Sequence, residues 1–91
     1  MNLRFEWDEI KAESNIKKHG ISFKEAVTVF GDPHSITIFD VAHSDEEDRF
    51  VDMGLSANGR ILIVTYTERD THIRIISCRK AMPIEWKQYE R

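Results

Sequence analysis

Apolar and polar residues alternate, cluster and break along this chain in a pattern that sets out eight elements. Leu3, Phe5 and Trp7 alternate with Asn2, Arg4 and Glu6, the period of a short half-buried strand at a sheet edge. Asp8 reads as the N-cap of a helix over 9–19, with Glu9 in its first turn, Lys17, Lys18 and His19 in its last, and Gly20 just past its end. The apolar stripe of this helix is thin, mainly Ile10, Ala12 and Ile16, so it is expected on the surface. Ser22 and Glu25 form a capping box for a second helix, whose buried face is Phe23, Ala26, Val27 and Phe30; Gly31-Asp32-Pro33 ends it. A strand follows over 35–39, with Ile36 and Ile38 on one side and Thr37 and Phe39 on the other. A polar loop over 40–48 leads to a strand over 49–55. Asn58-Gly59 predicts a type I′ hairpin turn into the β-branched run 61–67. Glu68, Arg69 and Asp70 close a second hairpin into 71–76, and Pro83 opens a terminal helix with Ile84, Trp86 and Tyr89 as its contacts.

The predicted order is β-α-α-β-β-β-β-α. Connections between the last four strands are too short for crossovers, so those strands form an antiparallel meander. The two early helices cover one face of the antiparallel sheet, giving an α+β layer in a single domain, 1–91.

Composition narrows the functional classes. A 91-residue chain buries roughly 60% of its unfolded surface, enough for a thin core. No apolar run spans a membrane, and the charged N-terminus lacks a signal-peptide core. The lone cysteine, Cys78, allows no intrachain disulfide and fits a reducing cytoplasm. The net charge of −3 argues against indiscriminate adhesion to nucleic acid, but it is unevenly spread. Residues 1–59 hold 6 Lys+Arg against 12 Asp+Glu (−6), and residues 60–91 hold 7 against 4 (+3). Such asymmetry can mark one anion-attracting face.

Candidate chemistry follows that charge. There is no Walker loop, no G-x-G-x-x-G and no H-E-x-x-H, and the scattered histidines predict no metal site or other cofactor. The stretch 60–79 carries Arg60, Arg69, Arg74 and Arg79 on aliphatic strands, a pattern that suits either a rigid phosphate platform or a hairpin with solvated ends. With a regular pleat, Arg74 and Arg79 point to opposite faces. The run His43 to Arg49 offers His43 and Glu47 as acid or base and Arg49 as a cation, or else is a solvated acidic loop. Lys11 and Lys18 lie on a basic helical flank. Arg79 is either a site residue at a strand end or the ion-pair partner of Glu85 or Glu47.

In order and spacing these residues resemble the BrnT family of bacterial toxins, themselves similar in fold to RelE-type ribonucleases. The resemblance is carried by F-x-W-D-x-x-K-x-x-x-N-x-x-K-H-G-I-x-F from Phe5 to Phe23, F-x-D-P from Phe30, and H-S-x-x-E-x-R-F from His43. It continues with G-x-S-x-x-G-R from Gly54, R-I-I-S-x-R-x-A from Arg74 and E-x-x-x-Y from Glu85. Cys78 stands where alanine is frequent, and Trp86 where a basic residue is more usual. The resemblance implies a ribonuclease toxin that blocks translation, silenced by a ribbon-helix-helix antitoxin, BrnA, through which the complex binds operator DNA. The polar positions that match are His43, Glu47, Arg49, Arg60, Arg74 and Arg79, and of these His43, Glu47, Arg49 and Arg79 are expected to carry cleavage without a metal. RNA contacts are expected from Arg60, Arg69, Arg74, Lys11 and Lys18. The competing class is an inactive toxin-like module that only binds the antitoxin.

Overall fold

The computed structural model describes residues 3–40 and 48–89. Strand β1 (Arg4–Glu6) is followed by helices α1 (Glu9–His19) and α2 (Phe23–Thr28), the latter tightening into a 3-10 turn over Val29–Gly31. Four strands come next, β2 (Ile36–Asp40), β3 (Arg49–Leu55), β4 (Ile61–Arg69) and β5 (His72–Lys80), and then helix α3 (Pro83–Tyr89). The sheet order is β1-β5-β4-β3-β2, and β2 to β5 form the expected antiparallel meander. β1 sits at the edge as predicted but runs parallel to β5, with Phe5 opposite Ile73, so the sheet is mixed rather than wholly antiparallel. The helices carry the chain from β1 over one face of the sheet to β2 at the opposite edge, and the meander then returns to lay β5 beside β1 in the same direction.

Local caps explain the helix boundaries. The Asp8 carboxylate accepts from the Ile10 and Lys11 N–H groups, and Gly20 takes φ 71° while its N–H closes on Ile16 O. The Ser22 hydroxyl accepts from Glu25 N at 3.1 Å, but only half of the capping box forms, because the Glu25 side chain turns inward. The buried face of α1 is not the Ile10–Ile16 stripe, since Ile10 is 78% exposed and Ile16 50%. Its buried residue is Asn15, whose amide donates to Ile21 O (2.9 Å) and Cys78 O (2.8 Å) and accepts from Cys78 N (3.1 Å), stapling α1 to β5.

Helices α1 and α2 cover one sheet face. Beneath them Phe23, Ala26 and Val29 meet Leu62, Val64, Tyr66, Ile73, Ile75 and Cys78. Phe5, Phe30, Tyr66, Phe50 and Phe39 run across this face as a chain of ring contacts with centroids 4.9–5.7 Å apart. Gly54 lets the sheet approach the 3-10 turn, for an added Cβ there would lie 2.9 Å from Val29 Cγ1 and 3.0 Å from Ser35 Cβ. Helix α3 packs on the opposite face, where Met53, Ile63 and Ala81 form a second cluster with Tyr89. Of its three predicted contact residues, only Tyr89 joins that cluster; Ile84 is 74% exposed. No helix among the described residues is long and apolar enough to cross a membrane.

Both hairpins differ from expectation in detail. At 56–60 Gly59 alone has positive φ (78°), Gly59 N donates to Ser56 O and Ser56 N to Arg60 O. That is a type I turn followed by a left-handed glycine, not a type I′ turn, which needs positive φ at Asn58 as well. At the second hairpin the strands continue to the Arg69–His72 pair, so the turn falls at Asp70 (φ 52°) and Thr71.

Candidate functional site

The site is built by one irregularity in β5. Thr65 pairs with Ser77 but Tyr66 with Ile75, leaving Ile76 as an extra residue. Such a bulge reverses the alternation beyond it. Ile73, Ile75 and Cys78 therefore all face the helices, and Arg74, Ser77 and Arg79 share the other face. This corrects the expectation that Arg74 and Arg79 point oppositely.

Register then arranges that face in rows. Arg49, Thr67, Arg74 and Glu6 lie side by side across four strands, followed by Val51, Thr65 and Ser77, then Met53, Ile63 and Arg79. The first row is polar, and the last sets Arg79 beside the apolar Met53 and Ile63 and is overlain by α3. Arg74 and Arg79 are about 13 Å apart along the sheet, four strand residues, so they suit separate phosphates of one strand rather than one phosphate. Arg74 NH1 donates to Glu6 at 3.0 Å. Thr67, 1% exposed between the two arginines of its row, has a hydroxyl with no partner among the described residues.

Arg79 is held by its neighbour on α3. Its NH1 and NH2 donate to the two Glu85 oxygens, both at 2.9 Å, and NH1 also donates to Lys80 O at 3.2 Å. Glu85 in turn accepts from Met82 N at 2.7 Å, closing the first turn of α3. The guanidinium beside it, aided by that N–H, overcomes partial burial and holds the Glu85 carboxyl down at about 2, while Glu85 raises Arg79. The bland alternative for Arg79, a pair with Glu85, is thus present, yet it engages only one edge of the guanidinium. Among the described residues the Nε–H edge has no partner, and the side chain is 41% exposed. A planar fork with one edge held and the other open is suited to a phosphate.

A cavity of about 190 Å³ adjoins Arg79. Ile38, Val51, Met53, Ile63, Thr65 and Arg79 line it from the sheet, and Glu85 and Gln88 line it from α3. Thr65, Ser77 and Gln88 were not singled out from the sequence. Their placement depends on the register and on where α3 lands, and no local motif signals either.

The remaining predicted residues are distributed as follows. His43 and Glu47 lie outside the described residues; their segment joins β2 and β3 beyond Asp40 and Arg49, which pair with each other at the end of the arginine row. Arg69 is exposed at the far end of β4, next to His72 in register. Lys11 and Lys18 are exposed on α1, across the sheet from Arg74 and Arg79. Arg60 also lies on the helix side. Its Nε donates to Glu25 Oε2 at 2.9 Å and its NH2 to Glu25 Oε1, while Ser56 Oγ donates to Glu25 Oε2 at 2.8 Å. Hydrogen bonding from Arg60 outweighs burial and keeps Glu25 ionised. Arg60 therefore neutralises a buried carboxylate away from the Arg49–Arg74–Arg79 face. Cys78 is inert, its thiol pushed up to about 12 chiefly by burial. Trp86 donates to Ala81 O at 3.0 Å and borders a separate depression with Gly59 and Lys80.

Comparison with known proteins follows this geometry. A family model described as "Ribonuclease toxin, BrnT, of type II toxin-antitoxin system" matches residues 7–85. Among solved structures, the Brucella abortus ribonuclease toxin BrnT is similar in fold, with a TM-score of 0.69 at 21% identity over 89% of this chain and 99% of that one. No curated protein matches.

Proposed function

Since the chain belongs to the BrnT family of ribonuclease toxins of type II toxin–antitoxin systems, we propose that it cuts RNA without a metal on the arginine-bearing face of its sheet. The supporting observation is the β5 bulge, which puts Arg79 on the same face as Arg74 and Arg49, with one guanidinium edge held by Glu85 and the other open.

In this reading Glu47 or His43 removes the proton of a ribose 2′-hydroxyl. The 2′-oxygen attacks the adjacent phosphorus, the P–O5′ bond breaks, and His43 protonates the departing 5′-oxygen. The products are a 2′,3′-cyclic phosphate and a 5′-hydroxyl. Arg79 clamps the phosphate as its charge grows, and Arg49 and Arg74 bind neighbouring backbone. A positioned base supplies about 10²–10⁴-fold, and one preorganised charge-stabilising donor about 10²–10³-fold. A ribbon-helix-helix antitoxin silences the cytoplasmic toxin and carries the pair to operator DNA.

Occupation of one Arg79 edge by Glu85 favours the second reading, an inactive module that only binds the antitoxin. Induced expression in a bacterial host separates the two. Growth arrest relieved by the antitoxin, RNA ends bearing 2′,3′-cyclic phosphate, and loss of both in a folded Arg79→Ala protein are the expected results. Arrest undiminished in folded Arg79→Ala removes Arg79 from the site, 3′-hydroxyl ends overturn attack by the 2′-oxygen, and no arrest at all favours the inactive module.

A further inference from the structure

The cavity beside Arg79 has no part in the chemistry just described. Four aliphatic side chains, Ile38, Val51, Met53 and Ile63, line it from the sheet, and its lining also carries two neutral hydrogen-bonding groups, the Thr65 hydroxyl and the Gln88 amide. Neither makes a hydrogen bond among the described residues. The two charged groups in the lining, Arg79 and Glu85, are paired along one edge of the guanidinium, and the other edge is the one assigned to the phosphate. Gln88 follows Glu85 by three residues on α3, so both project toward the same side.

We infer that this cavity receives one unpaired nucleobase of the RNA, the one flanking the phosphate held by Arg79, and that Gln88 reads its edge. A base is a flat body with apolar faces and a polar, uncharged perimeter, which matches a largely aliphatic lining that also offers neutral polar groups. A second phosphate does not match, because among the described residues Arg79 is the one cation lining the cavity and it serves the first. Arg79 itself lines the cavity, so a phosphate on its open edge places the flanking base next to it. An amide offers a donor beside an acceptor and can pair with a base edge at two points.

The inference rests on the reading of Arg79 as the phosphate clamp, and the test separates the two. Wild type, Gln88→Ala, Ile38→Trp and Arg79→Ala are expressed in bacterial cells, and RNA ends are mapped across the transcriptome. Wild type should prefer one base beside the cut. Gln88→Ala should weaken that bias at least about fivefold, the lower end of what one paired side chain discriminates. A purely structural role would leave the bias unmoved. Ile38 is 49% exposed at the cavity wall, so Ile38→Trp fills the cavity from its open side and should cut cleavage at least tenfold without lowering the melting midpoint. Absence of a base bias in wild type, the same bias in Gln88→Ala, or full cleavage by Ile38→Trp overturns the base site. If Arg79→Ala is dead while those results hold, only the base site falls. If folded Arg79→Ala cleaves fully, the clamp falls and the base site with it.

Discussion

Arg60 and Arg79 are the same residue type, each forked onto a glutamate, yet exposure gives them different work. The Glu25 side chain is 6% exposed and the Arg60 side chain 32%, so Arg60 serves a carboxylate that cannot reach water. Glu85 is 26% exposed and Arg79 41%, and Arg79 keeps an edge for another anion. Arg60→Ala should therefore lower stability by on the order of 3 kcal/mol, the cost of stranding a largely buried charge, and reduce RNA cleavage only in proportion to the unfolded fraction. Chemical denaturation paired with a cleavage assay checks this; a stable variant with lost cleavage would instead put Arg60 on the RNA. Glu85→Gln keeps the shape of the Arg79 contact and removes its charge. Cleavage should fall about 10–100-fold, as when a group that orients a site residue is changed, and the melting midpoint at neutral pH should fall as well, because the ionised Glu85 contributes stability there. Faster cleavage would mean that Glu85 competes with phosphate rather than orienting Arg79.

At the scale of elements, α1 and β5 show what local signals convey. The ends of α1 were legible because Asp8 and Gly20 act within one turn of themselves. Its buried face was not, because Asn15 is polar and its partner Cys78 lies 63 residues away. Asn15→Ala removes three hydrogen bonds and orphans the Cys78 N–H and two carbonyls. It should cost about 2–4 kcal/mol, read from urea unfolding, and loosen α1 first in hydrogen exchange. Retention of wild-type stability would show that α1 docks by other contacts. The β5 bulge carries no sequence signal either, since Arg74 to Arg79 reads as an ordinary strand. Ile76 is extruded because Ile73, Ile75 and Cys78 all bury against the helices, a demand that exists only after the layers meet. The candidate site inherits this: its residue types were readable, and their common face was not.

Across the whole molecule, carboxylates tie the layers together. Glu25 joins α2 to Arg60 beside the turn, Glu85 joins α3 to β5, and Asp32 accepts from Leu55 N (2.8 Å) and the Tyr89 hydroxyl (2.5 Å). All three titrate below their ordinary values: Glu25 and Glu85 chiefly through their arginines, and Asp32 because its hydrogen bonds outweigh its burial. A carboxyl whose folded pKa is lowered stabilises the fold above its unfolded pKa, 4.5 for the two glutamates, and loses that contribution as pH falls through the folded value. The urea midpoint should therefore drop steeply between pH 5 and about 2, and Glu85→Gln should flatten part of the drop. A midpoint constant over that range would refute these ties.

The chain by itself determined the element order, the helix caps, the meander and the family, because each rests on residues close in sequence or on a spaced pattern of types. It also announced the arginines and their concentration in the basic second half. Only the tertiary structure decided which of them face the same way, that Arg60 belongs to Glu25 and Arg79 to Glu85, and that β1 runs parallel at the edge. Those outcomes depend on burial and register between distant segments, where one extra residue in a strand exchanges its two faces.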